Sequence, residues 1–135
     1  VVAIYPPTDL RFWPPNPDTS LTKLIGGTSA EMPEAFADAS PIEFCRDDLP
    51  PTLLVQGEMD NLVTPEHVKA LSAKLATTNT TAVTVWVPWG RHGFDVLNDG
   101  MGARLVRPDI DRFLAWSLYR DVPTSTPSPA VEEGV

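Results

Sequence analysis

The stretch that decides the fold is residues 50–71, PPTLLVQGEMDNLVTPEHVKAL. The segment 52–57 (TLLVQG) is a continuous apolar run after two prolines, which is typical of a strand buried on both faces of a parallel sheet. A helix is predicted directly after it, with Thr64 as the N-cap and Pro65 at the first helical position. The apolar stripe of this helix consists of Val68, Leu71 and Leu75.

Two more apolar segments predict the other strands of the sheet: VVAIY at 1–5 and AVTVWVPW at 82–89. One face of the later strand carries Val83, Val85 and Val87, whereas the other carries Ala82, Thr84 and Trp86. Because that second face is less apolar, this strand is expected near an edge of the sheet. Alternation of strands with helices predicts parallel pairing and right-handed crossovers.

Helices account for much of the remaining chain. Short helices are predicted at 21–25 and within 28–40, and a last helix over 107–120. The residues of the last helix predicted to face inward are Ile110, Phe113, Leu114 and Leu118. The sequence therefore predicts an α/β fold over 1–120, with about three parallel strands and flanking helices, followed by a disordered Pro/Ser/Thr-rich tail at 121–135.

The chain opens directly inside an apparent buried strand, without a preceding methionine or cap. A three-stranded sheet would also leave an apolar edge open, which is a liability for a soluble monomer. We therefore expect the chain to be the downstream part of a longer protein. The expected partner of the open edge is a missing N-terminal half or a second copy of the chain.

Composition excludes several classes of function. The net charge of −8, from 10 basic and 18 acidic residues, argues against nucleic acids and anionic membrane surfaces as partners. No apolar run reaches the roughly 18 residues that a membrane span requires. A single cysteine, Cys45, forms no internal disulfide and has no neighbours at metal-ligand spacing. The compartment stays undetermined, with the cytoplasm slightly favoured.

An acid and a histidine follow two of the predicted strands. Asp60 lies three residues past Gly57, and His92 lies three residues past Trp89. Neighbouring parallel strands run about 4.8 Å apart, and their carboxyl ends meet at one edge of the sheet, where open α/β sheets build their sites. A carboxylate there could fix the imidazole tautomer. The structural alternatives are a histidine satisfied by loop carbonyls and an aspartate that caps a turn.

At these residues the chain resembles the C-terminal part of α/β-hydrolases of the esterase/lipase type. The matching segments are VVAIYPPTDL, IGGTSAEMPEAFADASPIEF, PPTLLVQGEMDNLVTPEHVKAL and VPWGRHGFD, and the most specific residues are Gly57, Asp60, Val63 and His92–Phe94. The resemblance implies a Ser-Asp-His triad with Asp60 as the orienting acid, His92 as the general base, a small-molecule ester substrate and no cofactor or metal. Prolyl-oligopeptidase-type peptidases share these elements, so ester versus peptide specificity stays open.

The nucleophile of that family is missing from this sequence. No Gly-x-Ser-x-Gly elbow occurs, so the serine is expected in upstream sequence and the chain alone is expected to be inactive. Ser29, in GGTSAE, is a disfavoured substitute, because Glu31 stands at the second glycine position and pairs better with Thr28 as a capping box. A further alternative is a truncated hydrolase-like domain that binds through its open edge.

Five other residues receive weaker predictions. Asp95 is a rival acid for the histidine, and Asp9 either braces the site or belongs to a turn. Phe12 and Trp13 are candidates for lining a substrate pocket, although packing of the proline-rich loop explains them equally well. His67, in the first turn of its helix, is predicted to face solvent.

Overall fold

A computed structural model describes residues 1–13, 19–96 and 100–119. Within these ranges, three strands form one parallel sheet in the order β1-β2-β3: β1 (Val2–Ile4), β2 (Thr52–Gly57) and β3 (Ala82–Val87). The helices are α1 (Ser20–Ile25), α2 (Pro33–Asp38), α3 (Pro65–Leu75) and α4 (Met101–Tyr119), with short 3-10 segments at Leu10–Phe12 and Pro41–Phe44. The predicted α/β fold with three parallel strands and flanking helices is confirmed. The predicted tail at 121–135 lies outside the described residues.

The central strand organises the sheet. All six residues of β2 are buried, because β1 and β3 flank it and helices cover both faces. Its register pairs Leu54 with Ala3 on one side and with Thr84 on the other. β3 lies at an edge of the described sheet, as predicted, and Val83 is 43% exposed there.

Two apolar cores lie on opposite faces of β2, since successive side chains of a strand point to opposite sides. Towards α4, the buried core consists of Leu53, Val55, Val87, Val106 and Phe113. Towards α3, it consists of Leu54, Val68, Leu71 and Leu75, so the predicted stripe of α3 is its buried face. Burying each such side chain stabilises the fold by about 1.5–3 kcal/mol.

The last helix differs from its prediction. It begins at Met101 instead of 107 and runs through Pro108, although an internal proline costs about 3 kcal/mol. Ala103 and Val106, which precede this proline, are both buried, and their burial offsets that cost. The prediction of inward-facing Leu114 and Leu118 was wrong: both are exposed, because the contacts of α4 with the sheet core run only as far as Phe113.

Candidate active site

The acid loop follows β2 immediately. The Asp60 carboxylate is fully buried, and its Oδ1 accepts hydrogen bonds from the backbone N–H groups of Leu62 (2.9 Å) and Val63 (3.0 Å). The Gln56 side chain donates from Nε2 to the carbonyl oxygen of Val63 at 3.0 Å. This loop is therefore held from both sides, and its remaining carboxylate oxygen points in a fixed direction.

The histidine loop follows β3. Gly90 N–H donates to Val87 O at 2.9 Å to close the first turn, and Gly93 adopts a φ of 75°, a left-handed conformation that favours glycine. His92 lies between these glycines with its Nδ1 2.9 Å from Oδ2 of Asp60. Because a proton on Nδ1 is shared with Asp60, Nε2 is the nitrogen left to accept a proton. The His92 side chain is 32% exposed and thus accessible from outside.

Direct backbone packing brings the two loops together. Met59 N–H donates to the carbonyl oxygen of Gly90 at 3.0 Å. A Cβ atom added to Gly57 would lie only 2.3 Å from that same oxygen, and one added to Gly90 would lie 2.9 Å from the Gly57 Cα. Both positions require glycine because the strand ends approach without room for a side chain.

The sequence predictions missed a contribution from the end of β1. The Tyr5 hydroxyl donates to Oδ1 of Asp95 at 2.9 Å, and the Tyr5 ring centroid lies 4.4 Å from that of His92. Burial, followed by the hydrogen bond to Asp95, raises the pKa of the Tyr5 hydroxyl. The signal was available, since Tyr5 ends a strand at the same sheet edge as Asp60. Asp95, the rival acid, bonds Tyr5, and the carboxylate that His92 bonds is Asp60.

His67 is almost fully buried, so the prediction that it faces solvent was wrong. The loop after β1 covers the first turn of α3: Asp9 N–H donates to His67 Nδ1 at 3.3 Å, and the Thr8 hydroxyl donates to the His67 carbonyl oxygen. The Phe12 ring packs against the imidazole with centroids 5.5 Å apart. Burial lowers the pKa of His67, which favours its neutral form.

Asp9 is engaged within its own loop. Its carboxylate binds Arg11 through two contacts, at 2.7 Å to Nε and 2.8 Å to the terminal nitrogen, and these hold the pKa of Asp9 below its usual range. Arg11 continues to Glu43 at 2.7 Å. Phe12 is about half exposed and Trp13 is partly buried, so the described structure leaves both aromatic rings near the surface of this loop.

Ser29 lies in the turn between α1 and α2. The N–H and hydroxyl groups of Thr28 both donate to Glu31 Oε2 at 2.8 Å. The predicted pairing of Thr28 with Glu31 is present, but it closes a turn, because α2 begins only at Pro33. Among the described residues, no serine side chain is hydrogen-bonded to His92.

Two kinds of site are absent from the described residues: a membrane-spanning helix and a cluster of metal ligands. No helix in this part of the chain is long and apolar enough to cross a membrane. The same residues contain no group of three or more His, Cys, Asp or Glu side chains that could hold a metal ion.

A parallel α/β sheet that presents an aspartate and a histidine on neighbouring strand ends is the arrangement of α/β-hydrolases, and the chain is an α/β-hydrolase-type esterase relative. The model of the BD-FAE family matches residues 1–75, and the chain belongs to that family. Among curated relatives, Esterase LipC of Mycobacterium tuberculosis (strain ATCC 25618 / H37Rv) is 34% identical over 82 residues. That match covers 60% of this chain and 20% of the relative, so the chain corresponds to a minor part of it.

Two solved structures are similar to this chain in fold. A structure described as a truncated form of a carbohydrate esterase from gut microbiota matches with a TM-score of 0.73 and 25% identity, covering 87% of this chain and 42% of that one. A bifunctional GH43-CE protein of Bacteroides eggerthii matches with a TM-score of 0.60 and 24% identity, covering 83% of this chain and 16% of that one. The second likeness concerns the fold alone.

Proposed function

We propose that this chain carries the acid and the base of a serine esterase triad. In this proposal Asp60 is the orienting acid and His92 is the general base. In this proposal the nucleophilic serine comes from sequence outside these 135 residues. The observation that carries the proposal is the 2.9 Å contact between His92 Nδ1 and Asp60 Oδ2.

The contacts of Asp60 suit the role of an orienting acid. Its Oδ1 is occupied by two backbone N–H groups, so the carboxylate cannot rotate freely and Oδ2 stays directed at His92. A buried carboxylate in this position stabilises the imidazolium that forms when Nε2 takes up a proton. The partial exposure of His92 gives a substrate access to that nitrogen.

The reaction would proceed in two steps, acylation of the serine and then deacylation. The serine oxygen attacks the ester carbonyl carbon while His92 Nε2 takes the hydroxyl proton. Collapse of the tetrahedral intermediate breaks the bond to the alcohol, which leaves with the proton from His92. Water then attacks the acyl-enzyme, His92 takes its proton, and the acid product leaves as the serine is regenerated. The chemistry needs no metal or cofactor.

An ester of a carbohydrate is the substrate class to test first, because one of the similar structures is described as a carbohydrate esterase. Phe12 and Trp13 are proposed as pocket residues, since both lie in the loop after β1 and keep part of their aromatic surface open to a ligand. The Phe12 ring already contacts His67, which limits the directions from which a ligand could reach it.

A fluorophosphonate separates this proposal from the Ser29 alternative. The reagent labels activated serines, and intact-mass spectrometry of the folded chain should show no adduct. An adduct on Ser29 would contradict the proposal and indicate a compact, self-sufficient hydrolase.

A chimera tests the roles of the pair directly. Residues 1–119 would replace the corresponding segment of a BD-FAE-family esterase that contains its own serine. The chimera should hydrolyse acetylated sugars, and His92→Gln in it should lower kcat by at least about a thousandfold. His67→Gln is the matched control, because it changes the other histidine of the chain. Equal loss in both variants would contradict the role of His92.

The second candidate function is a non-catalytic domain that associates through its open sheet edge. It is favoured by an apolar cavity of about 320 Å³ between β3 and α4, whose lining includes Val83, Val85, Phe113 and Trp116. Sedimentation analysis showing a discrete dimer, together with an inactive chimera, would favour this function over the first.

A further inference from the structure

We infer that Tyr5 is a positioning residue for His92. It holds the histidine loop against Asp60 from the end of β1, which flanks β2 on the side opposite to β3. The inference rests on the proposed function, because it explains how the base of that site is held. Tyr5 comes from the end of β1, whereas Asp60 and His92 follow β2 and β3. The site would thus be assembled from the ends of all three described strands.

The backbone at Tyr5 supports a role beyond packing. Its N–H donates to Val55 O at 2.7 Å, so it still belongs to the ladder between β1 and β2. Its φ is nevertheless 41°, the one positive φ found at a non-glycine residue in the described chain. Such a conformation is unfavourable for a residue with a side chain and persists only where the surrounding contacts determine it. Contacts made by the Tyr5 side chain are the available compensation.

The hydrogen bond and the ring contacts of the Tyr5 side chain are made with the histidine loop. The Tyr5 ring lies 4.4 Å from the His92 ring, tilted by 56°, and 5.9 Å from the Phe94 ring in an edge-to-face arrangement. Its hydroxyl reaches Asp95 at 2.9 Å. One side chain from β1 therefore holds three positions of a four-residue segment, across the whole width of β2.

The hydroxyl contact has a second consequence. Asp95 is close enough in sequence to compete with Asp60 for His92, and binding to the Tyr5 hydroxyl gives its carboxylate a different partner. His92 is left with Asp60 as the carboxylate it bonds.

The test monitors the imidazole of His92 directly, by NMR of the ¹⁵N-labelled 135-residue chain. The chain contains two histidines, so His67→Gln assigns the signals of both. Long-range ¹H–¹⁵N spectra report the tautomer of His92, and the rate of solvent exchange of its Nδ1 proton reports how firmly the ring is held on Asp60.

Tyr5→Leu removes the ring and the hydroxyl, so the Nδ1 proton signal of His92 should be lost. Tyr5→Phe keeps the ring and removes the hydroxyl, so exchange should become about fivefold faster, the equivalent of one ordinary hydrogen bond. Asp95→Ala should match Tyr5→Phe, and the double variant should be no worse than either single one. Tyr119→Phe, the same change on the exposed tyrosine at the end of α4, should have no effect.

An unchanged Nδ1 proton in Tyr5→Phe and Asp95→Ala, both stably folded, would overturn the inference, and so would additive effects in the double variant. If Tyr5→Leu does not fold, Tyr5→Phe and Asp95→Ala still test the inference. The outcome is independent of ester hydrolysis. An inactive chimera would contradict the proposed function without altering the NMR result, and a failed NMR prediction would leave Asp60 and His92 as the proposed pair.

Discussion

Gly57 and Gly90 touch backbone to backbone where β2 and β3 end, so closely that a Cβ on Gly57 would lie 2.3 Å from the Gly90 carbonyl oxygen. The Met59 N–H group donates a hydrogen bond to that same Gly90 oxygen. This contact sets the distance between the acid loop and the histidine loop. The geometry of the candidate pair, Asp60 and His92, therefore depends on two residues that have no side chains.

We predict that Gly57→Ala separates the two loops. The added methyl group meets backbone atoms that cannot move aside alone, so the fold should lose about 1–3 kcal/mol and the His92 Nδ1 proton signal should disappear. Gly27→Ala is the control, because its added Cβ meets the side chains of Met32 and Glu31, which can move. Urea denaturation and the NMR spectrum measure both effects. Equal behaviour of the two variants would refute the role of the glycine contact.

Substitutions of Asp60 should separate catalysis from stability. Asp60→Asn keeps an oxygen for the N–H groups of Leu62 and Val63 but offers His92 an amide, which favours the wrong tautomer. We expect a loss of about 10⁴ in kcat in the chimera with little loss of stability. Asp60→Ala should in addition destabilise the fold by about 1–3 kcal/mol, because the buried Val63 N–H loses its acceptor. Similar stability of the alanine and asparagine variants would contradict this account.

The buried His67 makes the fold sensitive to acid. Its pKa is lowered by burial, so the unfolded chain binds a proton more readily than the folded one once the pH falls below about 6.5. The stabilising contribution of the neutral ring is therefore present above that pH and is lost as the pH falls through the lower folded pKa. His67→Gln should flatten the decline in unfolding free energy between about pH 7 and pH 5. An identical pH dependence would show that His67 does not titrate with folding.

The Asp9 carboxylate also makes the free energy of unfolding decline in acid, at a lower pH than His67 does. Its pKa is depressed by Arg11, so its contribution is present above the ordinary aspartate value and is lost as the pH falls through the depressed one. Arg11→Met should remove most of this acid-range dependence while leaving the decline due to His67 in place. Denaturation curves of Arg11→Met and of the unsubstituted chain, collected below about pH 5 where carboxylates become protonated, measure this difference. An unchanged pH dependence there would contradict the role of the Asp9–Arg11 pair.

Truncation of a side chain in the central strand β2 should destabilise the fold. Leu54 is completely buried against α3, so Leu54→Ala should cost about 2–5 kcal/mol through lost burial and the cavity left behind. Leu24→Ala removes the same atoms from a side chain that is 83% exposed and should change stability by less than about 0.5 kcal/mol. Thermal or urea unfolding compares them. A small effect at Leu54 would mean that β2 is not the centre of the fold.

The sequence by itself determined the strands, α3 and the candidate pair. Continuous apolar runs mark buried strands whatever surrounds them, and Thr64–Pro65 specifies the start of α3 through local backbone preferences alone. Asp60 and His92 could be paired because parallel strand ends must meet at one edge, so their proximity follows from topology. The less apolar face formed by Ala82, Thr84 and Trp86 predicted that β3 lies at an edge.

Tertiary structure alone decided the contacts that cross between elements. His67 was predicted to face solvent, and only the packing of the loop after β1 buries it. α4 runs through Pro108 because burial of Val106 outweighs a local penalty that sequence rules treat as decisive. The hydrogen-bond partner of Asp95 is Tyr5, which lies 90 positions away in the sequence. Local preferences are written in neighbouring residues, whereas these contacts depend on free energies summed over surfaces that the folded chain brings together.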